Sequence, residues 1–167
     1  MSKYIWWFDE LDKDALQVAG GKGANLGQMT RLGFPVPPGF AVAVSAYYSA
    51  IKSNGLEAKI RALLDDIKDD LEDSDRLDAA SSSIKSLISQ APVPSDISDQ
   101  ISRAYEELCN ATGQPDVLVA IRSSATAEDL PSASFAGQQS TYLNIKGAQG
   151  VIEAVRDCWA SLFESRA

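Results

Sequence analysis

Apolar positions recur at two periods along this chain, and the period changes where glycine and proline fall. Ile97, Ile101, Tyr105 and Leu108 follow one another at i, i+4, i+8 and i+11 after Pro94-Ser95, which predicts an amphipathic helix capped by Ser95 and stopped at Gly113. Val151, Val155, Trp159 and Leu162, with Ile152 and Phe163 beside them, predict a second such helix. Leu56 to Asp70 and Leu77 to Ser89 carry weaker helical spacing (Ile60, Leu63, Leu64, Ile67; then Ile84, Leu87, Ile88) and read as a surface pair of helices ended by Pro92 and Pro94. Leu26, Met29 and Leu32 predict a helix over 24–32 that starts from the glycine-rich V-A-G-G-K-G of 18–23 and closes at Gly33.

Strand signals are shorter. Phe40 to Val44 follows the extended Pro35-Val36-Pro37-Pro38-Gly39 and reads as a buried strand, after which Ser45 is placed to cap a helix running to Lys52 or Ser53. Val117 to Ile121 is a continuous apolar run with Arg122 at its exit, and reads as a strand buried on both faces. Gln139 to Ile145 alternates, with Thr141, Leu143 and Ile145 expected on one side. Together these elements predict an α+β fold in which a mixed sheet, from strands near residues 40, 119 and 142, is flanked by helices.

Length and composition narrow the class. A chain of 167 residues can bury a substantial core, and 45% apolar with 23% charged residues is ordinary for a folded globular chain. The net charge of −8 repels a phosphate backbone, so nucleic acid is not an expected partner. The acidity is concentrated between Glu57 and Asp78, whereas Val119 to Lys146 holds only Arg122, Glu128, Asp129 and Lys146 as charges. The acidic run lacks the spacing of a calcium loop and reads as a solvated face. Cys109 and Cys158 show no paired metal or redox spacing and are expected as buried free thiols. The N-terminus lacks the apolar core of a signal peptide, and Pro35, Pro37, Pro38 and Gly39 interrupt the uncharged stretch from Leu32 to Ile51, so no membrane association and a cytoplasmic location are expected. Trp6, Trp7 and Trp159 read as packing residues because no basic residues interleave with them.

The sequence contains no histidine, which removes imidazole acid–base chemistry, histidine-ligated metals and a phosphohistidine within this chain. What remains for chemistry is lysine, arginine, carboxylate and backbone. Lys22 lies among glycines that let backbone N–H groups approach a ligand beside a helix N-terminus, an arrangement suited to phosphate. It is not a Walker A loop, since no Gly-Lys-Ser/Thr follows, and a solvated lysine in a glycine turn is the competing reading. Arg122 emerges at the C-terminal end of a strand, where a guanidinium can grip phosphate oxygens in a fork; an ion pair with Glu128 or Asp129 is the alternative. Ser134 to Thr141 joins an apolar tip to small residues and hydroxyls, either as a loop closing over phosphates or as a hairpin turn with Phe135 on the core.

At this level of detail the chain resembles the N-terminal nucleotide-binding region shared by phosphoenolpyruvate synthase (pyruvate, water dikinase), pyruvate phosphate dikinase and rifampin phosphotransferase. The resemblance rests on G-G-K-G-A-N-L-G-Q-M (20–29), G-F-P-V-P-P-G-F (33–40), I-R-S-S-A-T-A-E-D-L-P-S-A-S-F-A-G-Q-Q (121–139) and C-W-A-S-L-F (158–163), and it covers nearly the whole chain except 55–114. It implies that residues 1–167 are the N-terminal portion of an ATP-grasp-like domain, with a second nucleotide-binding subdomain, a phosphohistidine domain and a substrate domain lying elsewhere. ATP would lie between two subdomains and phosphorylate a histidine on another domain, en route to phosphoenolpyruvate or, in the rifampin enzymes, to a drug hydroxyl. By motif position Lys22 and Arg122 would hold the ATP phosphates, and Ser134, Phe135, Ala136, Gly137, Gln138 and Thr141 would form the covering loop. Magnesium would accompany ATP, with its ligands outside this chain. The expected partners are ATP and the remaining domains, joined in one polypeptide or carried on a partner chain. The expectation for 1–167 alone is an incomplete, inactive part of an enzyme; a non-catalytic module docking through an exposed Trp159, Leu162 and Phe163 face is the reading set against it.

Overall fold

The aromatic run at the N-terminus forms the first strand, β1 (Ile5–Trp7), which the sequence pattern did not single out. The computed structural model describes residues 2–68, 72–124 and 140–164. A 3-10 turn (Phe8–Glu10) leads to α1 (Leu16–Arg31), then β2 (Phe40–Val42), α2 (Val44–Ser53), α3 (Glu57–Ile67), α4 (Ser74–Gln90), α5 (Ser95–Thr112), β3 (Val119–Arg122), β4 (Thr141–Ile145), α6 (Ala148–Ala160) and a closing 3-10 turn (Ser161–Phe163).

The α+β expectation holds, but the single mixed sheet does not. The described strands form two separate antiparallel pairs, β1 with β2 and β3 with β4. Trp7 lies opposite Phe40 and Ile5 opposite Val42, so the strand near residue 40 takes its partner from the N-terminus and not from the strands near 119 and 142. An edge-to-face contact between Trp7 and Phe40, ring centroids 5.5 Å apart, reinforces that pairing.

β3 is also not buried on both faces. Val119 and Ile121 turn inward, while Ala120 and Arg122 are exposed and Leu118, just before the strand, is 59% exposed. In β4 the alternation breaks: Val119 pairs with Ile145 but Ile121 pairs with Tyr142, so three steps on β4 face two on β3. Asn144 absorbs the extra residue with φ of 57°, as asparagine tolerates. Ile145 therefore joins Tyr142 on the inner side, and Leu143, expected beside it, is 64% exposed.

Two apolar clusters hold the elements together. Ile97, Ile101 and Tyr105 of α5 pack with Tyr4, Ile5, Ala46, Val151 and Val155. Ile84 and Ile88 of α4 pack with Ile51, Leu56, Ile60 and Ala160. Trp159 of α6 touches both clusters, and α6 packs against α4, α5, β3 and β4. Much of the apolar face of α6 packs internally: Trp159 and Phe163 are partly buried against the clusters and the Phe163 carbonyl accepts from Ser81 Oγ at 2.5 Å, while Leu162 is exposed. Gly113 ends α5 with φ of 68°, and the helix caps elsewhere differ from expectation mainly in detail, Ala43 in place of Ser45 preceding α2.

Among the described residues no helix is long and apolar enough to cross a membrane. Cys109 and Cys158 are buried and free, as expected.

Candidate phosphate-binding site

The G-G-K-G stretch is not the loop expected from its composition. α1 is helical on either side of Gly20, which alone departs, at φ 68° and ψ 177°. That conformation is closed to residues with a side chain, so Gly20 breaks the helix and a fresh N-terminus starts at Gly21. Lys22 consequently sits in a helical first turn, half-buried, where the positive end of the helix dipole adds to its own charge.

A second segment meets this N-terminus from a hundred residues away. The chain leaves β3 at Arg122 and passes through the buried Ser123 to Ser124, whose Oγ accepts a hydrogen bond from Gly23 N–H at 3.1 Å. Gly20 lies so close to this residue that a Cβ placed on it would stand 2.5 Å from Ser124 Oγ and 2.6 Å from its carbonyl carbon. Gly23 is similarly confined, its would-be Cβ lying 2.7 Å from that of Ala19. Gly20 therefore serves close packing of a helix start onto a strand exit, and Gly23 the close approach of Ala19 across the kink.

This contact joins the backbone segments that carry the two residues named from sequence as phosphate ligands. Lys22 is adjacent to the Gly23 amide, and Arg122 is two residues, about 7 Å of extended chain, from the hydroxyl it meets. Arg122 is exposed as the last residue of β3 and is the register partner of Thr141. Thr141, also exposed, thus stands beside Arg122 at the same end of the hairpin. Ser134, Phe135, Ala136, Gly137 and Gln138 lie outside the described residues, as do Glu128 and Asp129.

Sequence reasoning missed Ser124 and Tyr105. Ser124 was visible only as one hydroxyl within a Ser/Thr-rich stretch, and nothing local marks it as the partner of Gly23. Tyr105 was read as a core position, yet its hydroxyl donates to the Val117 carbonyl at 2.8 Å and accepts from Gly147 N–H at 2.9 Å. It fastens the entry to β3 to the exit from β4, which fixes the base of the hairpin that carries Arg122 and Thr141.

Among the described residues no group of three or more Asp, Glu, His or Cys could hold a metal ion. Lys22 and Arg122 as cations, with a helix N-terminus, offer electrostatic chemistry suited to an anion.

This arrangement agrees with what similar proteins are. Residues 16–167 match the family described as "Pyruvate phosphate dikinase, AMP/ATP-binding domain". A probable phosphoenolpyruvate synthase of Methanothermobacter thermautotrophicus is 52% identical over the whole chain, which covers 24% of that protein. The phosphoenolpyruvate synthases of Pyrococcus furiosus and Helicobacter pylori are 43% and 44% identical over 99% of the chain, covering 24% and 21% of their own lengths. The chain belongs to the pyruvate phosphate dikinase AMP/ATP-binding domain family. It spans about a quarter or less of the length of these curated relatives.

Proposed function

We propose that this chain is the phosphate-holding, N-terminal part of the ATP site of a phosphoenolpyruvate synthase, an ATP-grasp-like domain that phosphorylates a histidine on another domain on the way to phosphoenolpyruvate. The observation that carries the reading is the seating of the Lys22 helix start on the exit of the Arg122 strand through Gly23 and Ser124. In phosphoryl transfer the protein supplies mainly position and charge, and a helix N-terminus, an ammonium and a guanidinium at one place supply both. The relatives' names favour pyruvate as the eventual acceptor over a drug hydroxyl.

In this reading Lys22 and Arg122 neutralise the phosphate oxygens, Thr141 contributes a hydroxyl beside Arg122, and Ser134 to Gln138 belong to the covering loop. Residues 1–167 form the N-terminal portion of the domain. The second nucleotide-binding subdomain, the phosphohistidine and the pyruvate-binding domain are partners, covalent or not, since this chain has no histidine to accept phosphate. Magnesium enters with ATP on ligands outside the described residues. A cytoplasmic location suits an enzyme of this metabolic class.

The test is reconstitution. Joined to the remainder of a phosphoenolpyruvate synthase, the chain should support ATP- and pyruvate-dependent formation of phosphoenolpyruvate. Lys22→Ala and Arg122→Ala should each lower kcat/KM for ATP at least ~tenfold, about 1.4 kcal/mol of transition-state stabilisation. Two silent substitutions would refute the assignment of roles.

A further inference from the structure

We infer that Ser124 is a positioning residue: it caps the Lys22 helix from outside its own segment and thereby locks that helix start to the strand bearing Arg122. The inference rests on the nucleotide reading above. A helix N-terminus leaves its first amides without intrahelical partners, and an N-cap side-chain oxygen ordinarily accepts from the second or third of them. Here the residue in the N-cap place is Gly20, which has no side chain. Gly23, third residue of the restarted helix, instead donates to Ser124 Oγ at 3.1 Å, across 101 residues of sequence.

Gly20 and Ser124 are matched parts. Any side chain at 20 would strike the Ser124 carbonyl and hydroxyl, so the absence of a local cap is what admits the distant one. A local serine or aspartate cap would hold the helix equally well by itself but would leave its orientation to the hairpin unspecified. With the cap supplied by the segment leaving β3, the Lys22 turn and Arg122 cannot shift independently. Two cations that must reach oxygens of one polyphosphate gain from such a fixed spacing, because ordering them is no longer a cost of binding.

The experiment is an ATP titration of the chain joined to the remainder of a phosphoenolpyruvate synthase, as wild type, Ser124→Ala, Ser124→Thr and Lys22→Ala, with hydrogen exchange of the Gly23 amide and the Tm of each recorded. Ser124→Ala should speed Gly23 exchange and weaken ATP binding about five- to tenfold, the loss expected for one hydrogen bond and the order it imposes, with little change in Tm. Ser124→Thr, which keeps the hydroxyl, should restore both. If Ser124→Ala binds ATP as tightly as wild type while Lys22→Ala does not, the positioning role is overturned and the nucleotide reading stands. If neither substitution alters ATP binding, or the joined wild-type protein binds none, the nucleotide reading falls and the role given to Ser124 falls with it.

Discussion

Gly27 shows how strictly single positions are set in this molecule. A Cβ there would lie 2.8 Å from the Leu11 carbonyl carbon, and Leu11 is 1% exposed, so neither partner has space to yield. Gly27→Ala raises helix propensity yet should destabilise the chain by about 1–3 kcal/mol through overpacking. Urea denaturation gives the sign directly; a gain in stability would contradict the contact. Cys158 offers a second residue-level expectation. Burial, and after it the Asp157 charge, pushes its thiol up from 9.0 to about 12. The folded state thus holds this proton more tightly than the unfolded chain does. Its contribution to stability is complete below pH 9 and is lost as pH rises toward 12. Tyr47, pushed up to about 12 by burial and the neighbouring Tyr48, acts in the same sense from pH 10 upward. Unfolding free energy should decline between pH 9 and 12, with a shallower slope for Cys158→Ala; equal slopes would show that the thiol is not protected.

Legibility at the residue scale followed the reach of each interaction. Lys22 and Arg122 stand out in the sequence as candidates because each carries its charge with it. Ser124 and Gly20 do not, because their importance exists only where the two segments meet.

At the scale of elements, the sequence disclosed helices well and strand pairing poorly. α5 and α6 lie where the periodicity of Ile97 to Leu108 and Val151 to Trp159 puts them, since a helix reports its buried face within its own span. Pairing is decided between segments: Ile5 to Trp7 and Phe40 to Val42 are joined across α1, and nothing in either three-residue strand names the other. The bulge in β4 was hidden for the same reason, because Leu143 and Asn144 alternate acceptably until Ile145 has to meet Val119. The G-G-K-G segment misled in the opposite direction: glycine content signals a loop, yet only Gly20 leaves helical geometry, and Gly23 is confined by Ala19. The Tyr105 clamp belongs to this scale. Tyr105→Phe leaves the Val117 carbonyl and the Gly147 amide without their partner, and should cost about 1–3 kcal/mol for each group that water does not reach. It should also accelerate exchange at Val119 to Arg122 more than in α4. Uniform acceleration across the chain would mean that the hydroxyl stabilises the fold in general and not the hairpin in particular.

For the molecule as a whole, α6 joins the two apolar clusters and the β3–β4 pair. The β3–β4 hairpin is thereby tied through α6 to α4 and, beyond it, to α3, although no functional residue is assigned there. Ile101→Ala and Ile84→Ala, one in each cluster, should each cost about 2–5 kcal/mol and should both lower the single unfolding transition. Separate transitions by tryptophan fluorescence and circular dichroism would show that the clusters fold independently.

The central claim is that the Lys22 helix start and the Arg122 strand end form one phosphate-holding unit within this chain. Calorimetric titration of ATP, with and without magnesium, into the chain joined to the remainder of a phosphoenolpyruvate synthase, as wild type, Lys22→Ala and Arg122→Ala, tests it most directly. Binding at millimolar affinity or tighter, weakened at least ~tenfold by either substitution, is the predicted result. Binding that both substitutions leave unchanged, or none by the joined wild-type protein, would contradict it.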